Sequence, residues 1–387
     1  MKYLFIGAGN GIYTYEFLKQ ICDSGLDITI YDMAPMMKEI PEFQEFYRSK
    51  NIKIVKKKIF PDRWQSLLKN RKLINSLGKF DIVNIHFLAT EETLLLSTLS
   101  KNYRRIIASF YGSDMLRVKK INKILQKPFL NKSTDITVST DNMYKYAGEF
   151  FSKKNLQKVS QIGFGTSSID NLLDIRKTKT KSECKMMFGF PEDKLAVFCG
   201  YNRSRAHRQI DIIKMLGKLS QEIKDKIYIV CHCSYPQNDE EYLDEISRGI
   251  AESGCEGRVL TDYLVGERLM YLRLSTDIMF NVQSTDACSA SMSESIMSNA
   301  VVIIGDWLSY PAYEKEQVYL QTIHEFSDIT PLVEDIVLNY NDYYEKTRDN
   351  PEKVYRAFSW ELNSGPKWRN LIFDKHKNEK YKCENFS

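Results

Sequence analysis

The sequence lacks an apolar run long enough to cross a membrane, and its cysteines lack disulfide-like spacing. A spanning helix needs about 20 consecutive apolar residues, whereas the apolar stretch at the N-terminus, Tyr3–Ile6, stops at Gly7. That pattern predicts a strand, not a signal peptide. Eight cysteines are scattered along the chain, at positions 22, 184, 199, 231, 233, 255, 288 and 383. We therefore expect a reduced, cytosolic protein.

A strong excess of one charge is also missing, because the net charge is only +5 over 387 residues. No RNP, zinc-finger or helix-turn-helix signature is present, so we expect no nucleic-acid partner. The basic residues are unevenly placed, however. Residues 50–79 hold ten of them and a single acid, Asp62. With Trp64, Leu67 and Leu68, this Lys50–Lys79 segment indicates either a solvated helix face or a patch that rests on an anionic membrane surface.

Short apolar strands alternate with helical segments in both halves of the sequence. The first series runs from Tyr3–Ile6 to Val159–Ile162, and a second series begins at Leu195–Cys199. The polar stretch Asp174–Lys181 separates them and is interpreted as the connection between two domains. Alternating strands and helices predict parallel sheets covered on both faces. The fold class is therefore α/β, with two doubly wound domains in succession.

The segment after Asn350 has a different pattern, with two tryptophans on an amphipathic stretch. Trp360 and Trp368 require an apolar surface to cover. A helix that returns to the first domain would provide one. The predicted organisation is thus a first domain of residues 1–172 with 362–387 packed on it, and a second domain of residues 173–361.

A glycine-rich turn follows the first predicted strand and precedes the first helix. Gly7, Gly9 and Gly11 would let a phosphate approach the backbone at a helix N-terminus. Asp32 ends the second strand, where dinucleotide-binding folds keep a ribose-binding acid. The third glycine of the G-x-G-x-x-G fingerprint is replaced by Ile12. Three interpretations remain open: an NAD site, a loop that borders an active cleft, and a purely structural turn.

A second loop, rich in serine, threonine and alanine, runs from a predicted strand into a helix at residues 284–291. Its free N–H groups, including those near Ser289 and Ser291, can face an anion. Asp286 and Glu294 are eight residues apart and flank this loop. Donor N–H groups suit a pyrophosphate, and carboxylates suit sugar hydroxyls. The alternative is a polar helix cap with a buried, hydrogen-bonded glutamate.

These two acids resemble the acid-x7-Glu motif of glycosyltransferases with the GT-B fold, in particular the group 1, family 4-like enzymes of bacterial surface-polysaccharide biosynthesis. Other segments resemble the family in the same order along the chain: Phe80–His86, Ser109–Asp114, Ile162–Thr166, Phe188–Pro191 and Ser298–Ile303. The resemblance spans nearly the whole sequence. It implies two Rossmann-like domains that face a cleft, an acceptor domain first and a nucleotide-sugar donor domain second.

The resemblance also implies roles for residues of the second domain. Arg203 and Arg208, in a loop after a strand, would hold the donor diphosphate, and fixed cations there would stabilise a dianionic leaving group. His232 would line the nucleotide pocket, and Tyr263 lies where the family reads the base. Glu294 would bind sugar or ribose hydroxyls.

Asp286 would contact the reacting sugar. The donor would be a UDP-, dTDP- or GDP-sugar, and no metal or other cofactor is expected. Three adjacent residues, Cys231, His232 and Cys233, cannot all converge on one ion.

The acceptor implied by the resemblance is a hydroxyl of a growing, lipid-linked glycan, as in capsule or O-antigen synthesis. Retention and inversion both remain open. An inverting enzyme would need a base in the first domain, and Asp114, Glu91 and His86 are candidates; His86 could equally be a core residue. Two other functions stay open: an NAD-dependent oxidoreductase that uses the glycine turn and Asp32, and a non-catalytic GT-B-like binding protein.

Overall fold

The computed structural model of the chain describes residues 1–88, 103–116, 118–235, 239–284, 286 and 289–374. The chain forms two compact units, Met1–Gly165 with Asn363–Ser387 and Thr166–Leu362. The predicted boundary at residue 172 falls inside a helix, Ser167–Ile175, that opens the second unit. The polar stretch Asp174–Lys181 therefore belongs to the second unit and is not the connection. The physical reason is that Ile169 and Leu172 are buried in a core of that unit.

The first unit is built on a seven-stranded parallel sheet with the strand order β3-β2-β1-β4-β5-β6-β7. Its strands are β1 (Lys2–Gly7), β2 (Asp27–Asp32), β3 (Lys53–Lys56), β4 (Phe80–His86), β5 (Tyr103–Ser109), β6 (Asp135–Val138) and β7 (Val159–Gln161). The first and the last of them match the predicted strands Tyr3–Ile6 and Val159–Ile162 to within one residue at each end. The register pairs Gly7 with Asp32 and His86 with Ser109, so neighbouring strands end together at one edge of the sheet.

Helices connect these strands and cover the sheet. They are α1 (Ile12–Ile21), α2 (Pro41–Ser49), α3 (Arg63–Ser76), α4 (Ser113–Leu116), α5 (Lys120–Lys132), α6 (Asp141–Phe150) and α7 (Lys153–Leu156). None of the helices in the described ranges is long and apolar enough to cross a bilayer.

The C-terminal helix, Gly365–Phe373, packs on the first unit, as the tryptophans of the tail predicted. Trp368 is fully buried, and its ring lies 4.9 Å from that of Phe17. Arg105 forms a buried ion pair with Asp135 at 2.9 Å and donates a hydrogen bond of 3.0 Å to the Leu371 carbonyl oxygen. The returning helix is therefore held by both apolar packing and a charged donor.

The second unit contains a six-stranded parallel sheet with the order β10-β9-β8-β11-β12-β13. Its strands are β8 (Leu195–Cys199), β9 (Ile227–His232), β10 (Glu256–Leu260), β11 (Ile278–Asn281), β12 (Val301–Gly305) and β13 (Gln321–Ile323). Alternate residues of β8 enter two different cores, Val197 on one face and Phe198 on the other. This pattern confirms a sheet covered on both faces, and the α/β, doubly wound fold class is correct in both units.

The helices of the second unit are α8 (Ser167–Ile175), α9 (Lys181–Met187), α10 (Gln209–Leu216), α11 (Gln221–Lys224), α12 (Glu240–Ser253), α13 (Gly266–Leu274), α14 (Ala290–Met297), α15 (Pro311–Lys315), α16 (Ile329–Leu338), α17 (Tyr340–Thr347) and α18 (Asn350–Phe358). Trp360, just after α18, is buried as well. The second tryptophan of the tail pattern thus covers the first unit, and the first one stays within the second.

A buried carboxylate, Asp277, lies at the amino end of β11 between two lysines. Its oxygens are 3.1 Å from the Nζ of Lys181 and 2.6 Å from the Nζ of Lys185. The Tyr340 hydroxyl and the Ala196 N–H also donate to it. Burial opposes the charged form of Asp277, but the two lysines and these hydrogen bonds outweigh it and hold its pKa below the usual value.

We expect Asp277→Asn to lower the free energy of unfolding at pH 7 by about 3 kcal/mol, because the buried Lys185 and the partly buried Lys181 lose their counter-charge. The folded pKa lies below the unfolded value of about 3.9, so this stabilisation is complete above pH ~5 and disappears as the pH falls through the folded pKa. Thermal unfolding from pH 7 to pH 3 measures the gap in the free energy of unfolding between wild type and variant. Asp174→Asn, in an exposed pair with Lys177, is the control. A gap that is the same at both ends of the range would contradict the assignment.

Candidate functional site

Buried polar side chains gather where the strands of the second sheet end. Ligands of parallel α/β sheets bind outside these carboxyl ends. His207, in the loop after β8, is 2% exposed, and His232, the last residue of β9, is 3% exposed. Burial lowers the pKa of each imidazole to about 4. Both histidines are therefore neutral near pH 7 and can offer one donor and one acceptor each.

Three atoms at this edge are buried without a hydrogen-bond partner: the Nδ1 atoms of His207 and His232 and the Oγ of Ser234. The Nε2 of His232 lies 3.4 Å from the Asp262 carbonyl oxygen. Because a carbonyl only accepts, that nitrogen carries the proton and Nδ1 is left as an acceptor. Buried polar groups are rarely left unpaired in folded proteins. These atoms therefore indicate a place for ligand groups.

The turn between β11 and α14 holds Asp286 in a fixed position. Its Oδ2 accepts hydrogen bonds from the Tyr310 hydroxyl at 2.8 Å, the Asn281 amide at 3.0 Å and the Ser289 N–H at 3.4 Å. Ser289 caps α14, since its side chain accepts from the Met292 N–H. The predicted residues Asp286 and Ser289 thus meet at the beginning of α14, as the loop pattern indicated.

Glu294 lies deeper, in the second turn of α14, and is only 4% exposed. Its Oε2 accepts a hydrogen bond of 2.8 Å from the Nε of Arg273, and its Oε1 accepts one of 2.6 Å from the Ser168 hydroxyl. The same arginine donates to the Oγ of Ser291 at 2.9 Å. The geometry matches the alternative interpretation of a buried, hydrogen-bonded glutamate. The role of Glu294 toward a donor stays a prediction.

Sequence reasoning missed Arg273, which is 3% exposed at the end of α13. One signal was present. Arg273 stands between Leu272 and Leu274 in a helix whose last turn is buried. A charge at such a position predicts a buried partner.

The two arginines proposed for a diphosphate point to different partners. Arg203 is 4% exposed, with its Nε on the Cys233 carbonyl oxygen at 3.2 Å and its Nη1 on Glu240 at 2.5 Å. Arg208 has left-handed backbone angles, a bond of 3.0 Å to Asp211 and a guanidinium 3.8 Å above the Phe326 ring. Arg203 therefore holds its own loop against β9. The side chain of Arg208, 41% exposed, remains accessible.

Tyr263 follows β10 and is 68% exposed. Its ring centroid lies 6.4 Å from that of Tyr235, which follows β9, in an edge-to-face arrangement. Tyr235 is also largely exposed. Two exposed rings beside unpaired polar atoms offer a flat apolar surface on which a planar base can stack.

In the first unit, the glycine turn is folded onto Asp32. The carboxylate has no exposed surface, and its Oδ1 accepts the N–H of Gly9 at 2.8 Å. A Cβ on Gly9 would lie 2.9 Å from the Asp32 Cγ, which explains the glycine. Gly11 donates to the Ala8 carbonyl oxygen and directly precedes α1. The Oδ1 of Asp32 is thus engaged by its own chain, whereas its Oδ2 is buried without a hydrogen-bond partner. The NAD interpretation of this turn stays a prediction.

His86 and Asp114 both form hydrogen bonds with the loops that follow β4 and β5. The Nδ1 of His86 lies 2.7 Å from the Tyr111 hydroxyl, and burial among aromatic rings lowers its pKa to about 3. Asp114 accepts the backbone N–H groups of Leu88, Tyr111 and Gly112 at 2.8–2.9 Å. Burial raises its pKa. The geometry gives both side chains a structural task, and Glu91 lies outside the described residues.

Solved structures with a similar fold include glycosyltransferases of the GT-B class. A glycosyltransferase from Rickettsia africae matches with a TM-score of 0.74 and 13% identity, covering 99% of each chain. Anabaena HepE in complex with UDP and glucose matches at 0.64 and 11%, covering 96% of this chain and 99% of that one. The lipopolysaccharide outer core galactosyltransferase WaaB matches at 0.63 and 12%, covering 97% and 100%. The chain therefore has the GT-B fold.

The family comparison points to the same class. Residues 2–148 match the family model described as glycosyl transferase 4-like. A comparison with curated proteins gave no significant match. The recognised resemblance to GT-B glycosyltransferases is thereby confirmed for the fold of the whole chain and for the sequence pattern of its first unit.

Proposed function

We propose that this protein is a glycosyltransferase that moves a sugar from a nucleoside diphosphate sugar to an acceptor hydroxyl. The observation that carries the proposal is the set of unpartnered polar atoms of His207, His232 and Ser234, beside the beginning of α14 at the carboxyl edge of the second sheet. The structure of the similar Anabaena HepE with UDP and glucose supports a UDP-sugar as the first donor to test.

In this proposal the nucleoside lies against β9 and β10. The Nδ1 of His232 accepts from a ribose or base donor, and Ser234 offers its hydroxyl. The rings of Tyr235 and Tyr263 stack with the base. The diphosphate lies between Arg208 and the first turn of α14, where the helix dipole favours negative charge.

The reaction exchanges one carbon–oxygen bond for another. The bond between the sugar and the diphosphate breaks as the acceptor oxygen bonds to the sugar, and the acceptor proton leaves to a base or to the departing phosphate. Negative charge grows on the diphosphate, so positioned donors such as Arg208 lower the barrier. Asp286, fixed by Tyr310 and Asn281, is proposed to bind hydroxyls of the reacting sugar.

Metal independence is part of the proposal. Among the described residues, no group of three or more His, Cys, Asp or Glu side chains is arranged to hold an ion. We expect the protein to release UDP from UDP-hexoses, faster with a glycan acceptor, and to keep this activity in excess chelator. Free UDP can be measured by a coupled assay with and without EDTA. Loss of turnover in EDTA contradicts metal independence, and no release of any nucleoside diphosphate contradicts the transferase.

We infer a hexosyl transfer to a lipid-linked bacterial glycan at the inner face of the cell membrane. The similarity to a lipopolysaccharide galactosyltransferase supports this acceptor. The surface of α3 supports the location, since Trp64 is 70% exposed and Leu68 58% exposed, one helical turn apart. Exposed apolar side chains among lysines are typical of membrane-surface helices.

We expect full-length protein to float with vesicles that contain anionic phosphatidylglycerol and to stay behind with neutral phosphatidylcholine. Trp64→Ser with Leu68→Ser should reduce the bound fraction about tenfold or more, because two buried apolar side chains contribute about 3 kcal/mol. Raising the salt concentration should weaken binding through the lysines. Met186→Ser, an exposed apolar residue of the second unit, is the control. Equal flotation of all variants contradicts this surface.

A non-catalytic GT-B-like binding protein remains the second candidate, favoured by one observation. Glu294 and Arg203, both assigned to the donor, are engaged in ion pairs with Arg273 and Glu240. The UDP-release assay separates the two functions. Tight nucleotide binding without turnover on any donor supports the binding protein.

A further inference from the structure

Four aromatic side chains meet at the carboxyl edge of the first sheet, and none of them has a role so far. Tyr13 lies in the first turn of α1, after β1, and Phe87 directly follows β4. Tyr111 follows β5, and Phe164 follows β7. We refer to these four residues as the aromatic platform. Four separate segments, each following a different strand, contribute to it, so its position follows from the strand order and not from one local motif.

Tyr111 is the centre of the platform. Its ring stacks on Phe164 with centroids 4.4 Å apart and planes 20° apart. Tyr13 and Phe87 approach the same ring edge-on, at 5.8 Å and 6.2 Å. The two outer rings are exposed, Tyr13 by 57% and Phe87 by 42%. Rings at these distances attract each other. The two outer rings nevertheless keep much of their contact with water.

The platform is held from beneath by buried groups. The hydroxyl of Tyr111 is bound to His86, and the Phe164 ring lies 5.6 Å from that of Trp368. The His86 ring in turn stacks on Trp368 at 5.7 Å. A surface whose rings are already fixed loses little side-chain freedom when a ligand binds.

Phe87 has a strained backbone conformation. Its φ of +65° lies in the left-handed region, where a bulky side chain costs on the order of 1 kcal/mol or more. Glycine would adopt this conformation without the cost. The strained backbone instead displays a half-exposed ring beside Tyr111. Neither the strain nor the exposure stabilises the fold, and this combination is typical of a binding position.

We propose that the aromatic platform binds a sugar ring of the acceptor glycan. The C–H bonds on the apolar face of a pyranose are slightly positive and pack well on the negative face of an aromatic ring. The hydroxyl of the exposed Tyr13 can meet the polar rim of such a ring, whereas that of Tyr111 is held by His86. The proposal rests on the proposed function, because it assigns the acceptor of that reaction to the first unit.

The chemistry of the platform favours a neutral sugar over a membrane surface or an anionic ligand. Its members are all aromatic, whereas the membrane-binding surface proposed at α3 combines apolar side chains with lysines. The imidazole beneath Tyr111 stays neutral, since burial keeps the pKa of His86 at about 3. The platform therefore offers no cation to a phosphate or a carboxylate from this side.

Saturation-transfer NMR on the full-length protein tests the proposal, with methyl β-glucopyranoside, methyl β-galactopyranoside and N-acetylglucosamine at millimolar concentration. We expect transfer to the ring C–H protons of at least one sugar. Tyr13→Ala and Phe87→Ala should each weaken it about two- to tenfold, as expected for one lost aromatic contact. Tyr144→Ala removes an exposed tyrosine of α6 and should change nothing.

Phe87→Gly separates binding from folding. It removes the ring and relieves the left-handed strain, so the melting temperature should stay the same or rise while the sugar signal falls. The proposal is overturned if no sugar shows transfer, if the platform variants keep the wild-type signal, or if dodecylphosphocholine binds there and the sugars do not. Adding UDP to the same variants distinguishes the two proposals. UDP binding without a sugar signal contradicts the platform alone, and a sugar signal without UDP binding contradicts the donor site alone.

Discussion

Replacing Glu294 with alanine is expected to lower the free energy of unfolding of the second unit by about 3–5 kcal/mol. The substitution leaves Arg273 charged, 3% exposed and without its carboxylate partner. It also removes the acceptor of the Ser168 hydroxyl. Thermal unfolding measures the loss of stability. Hydrogen exchange in peptides that cover α14 then shows whether the loss lies in the second unit.

A double substitution shows whether the ion pair causes that loss. Glu294→Gln with Arg273→Met removes both charges and should recover a large part of the lost stability. The single substitution leaves an uncompensated buried charge, whereas the double substitution leaves none. If Glu294→Ala is as stable as the wild type, the pair is not structural. Glu294 would then be available to a donor, as the acid motif originally implied.

Asp286→Asn is expected to lower turnover about 100-fold or more with little change in melting temperature. A group that orients the reacting sugar acts mainly in the transition state, where losing one such contact costs about 100- to 1000-fold. The amide can still accept the hydrogen bonds from Tyr310 and Asn281, so the turn before α14 should persist. UDP release from the preferred donor measures the effect.

Asp349→Asn, an exposed aspartate before α18, is the control and should retain full turnover. A loss of stability in Asp286→Asn as large as that in Glu294→Ala would contradict the separate roles. The two acids of the motif would then form one structural cluster.

The strand pattern was the most reliable signal in the sequence. The buried β-strand Leu195–Cys199 is a short apolar run, and its bounds are as predicted. The three-residue edge strand Gln321–Ile323 was missed, because only the last of its side chains is buried. The domain boundary was also misplaced, since α8 begins a new core immediately after Gly165.

The candidate site was predictable in its location but not in its contacts. Sequence order brought Asp286 and Ser289 to one helix start, because strand ends and helix starts converge at one sheet edge. The partner of a buried charge depends on packing between distant segments. Arg273 reaches Glu294 across 21 positions, and Arg203 reaches Glu240 across 37. No spacing rule in the sequence connects such pairs.

The glycine turn shows why a short motif is a weak guide to function. Gly9 and Asp32 suggested a dinucleotide site when each was considered as a residue that contacts the dinucleotide. The structure shows that they bind each other, at 2.8 Å from the Gly9 nitrogen to the Asp32 Oδ1. The same residue types thus hold the turn after β1 against the end of the neighbouring parallel strand β2.

Hydrogen exchange of the full-length protein with saturating UDP, and separately with NAD, tests the central claim most directly. We expect UDP to protect the strand ends and loops at residues 199–208 and 231–235 and the turn leading into α14. We expect NAD to leave the turn at residues 7–11 unchanged. Protection by NAD at that turn, or no protection by UDP at the second sheet, would contradict a donor site in the second unit.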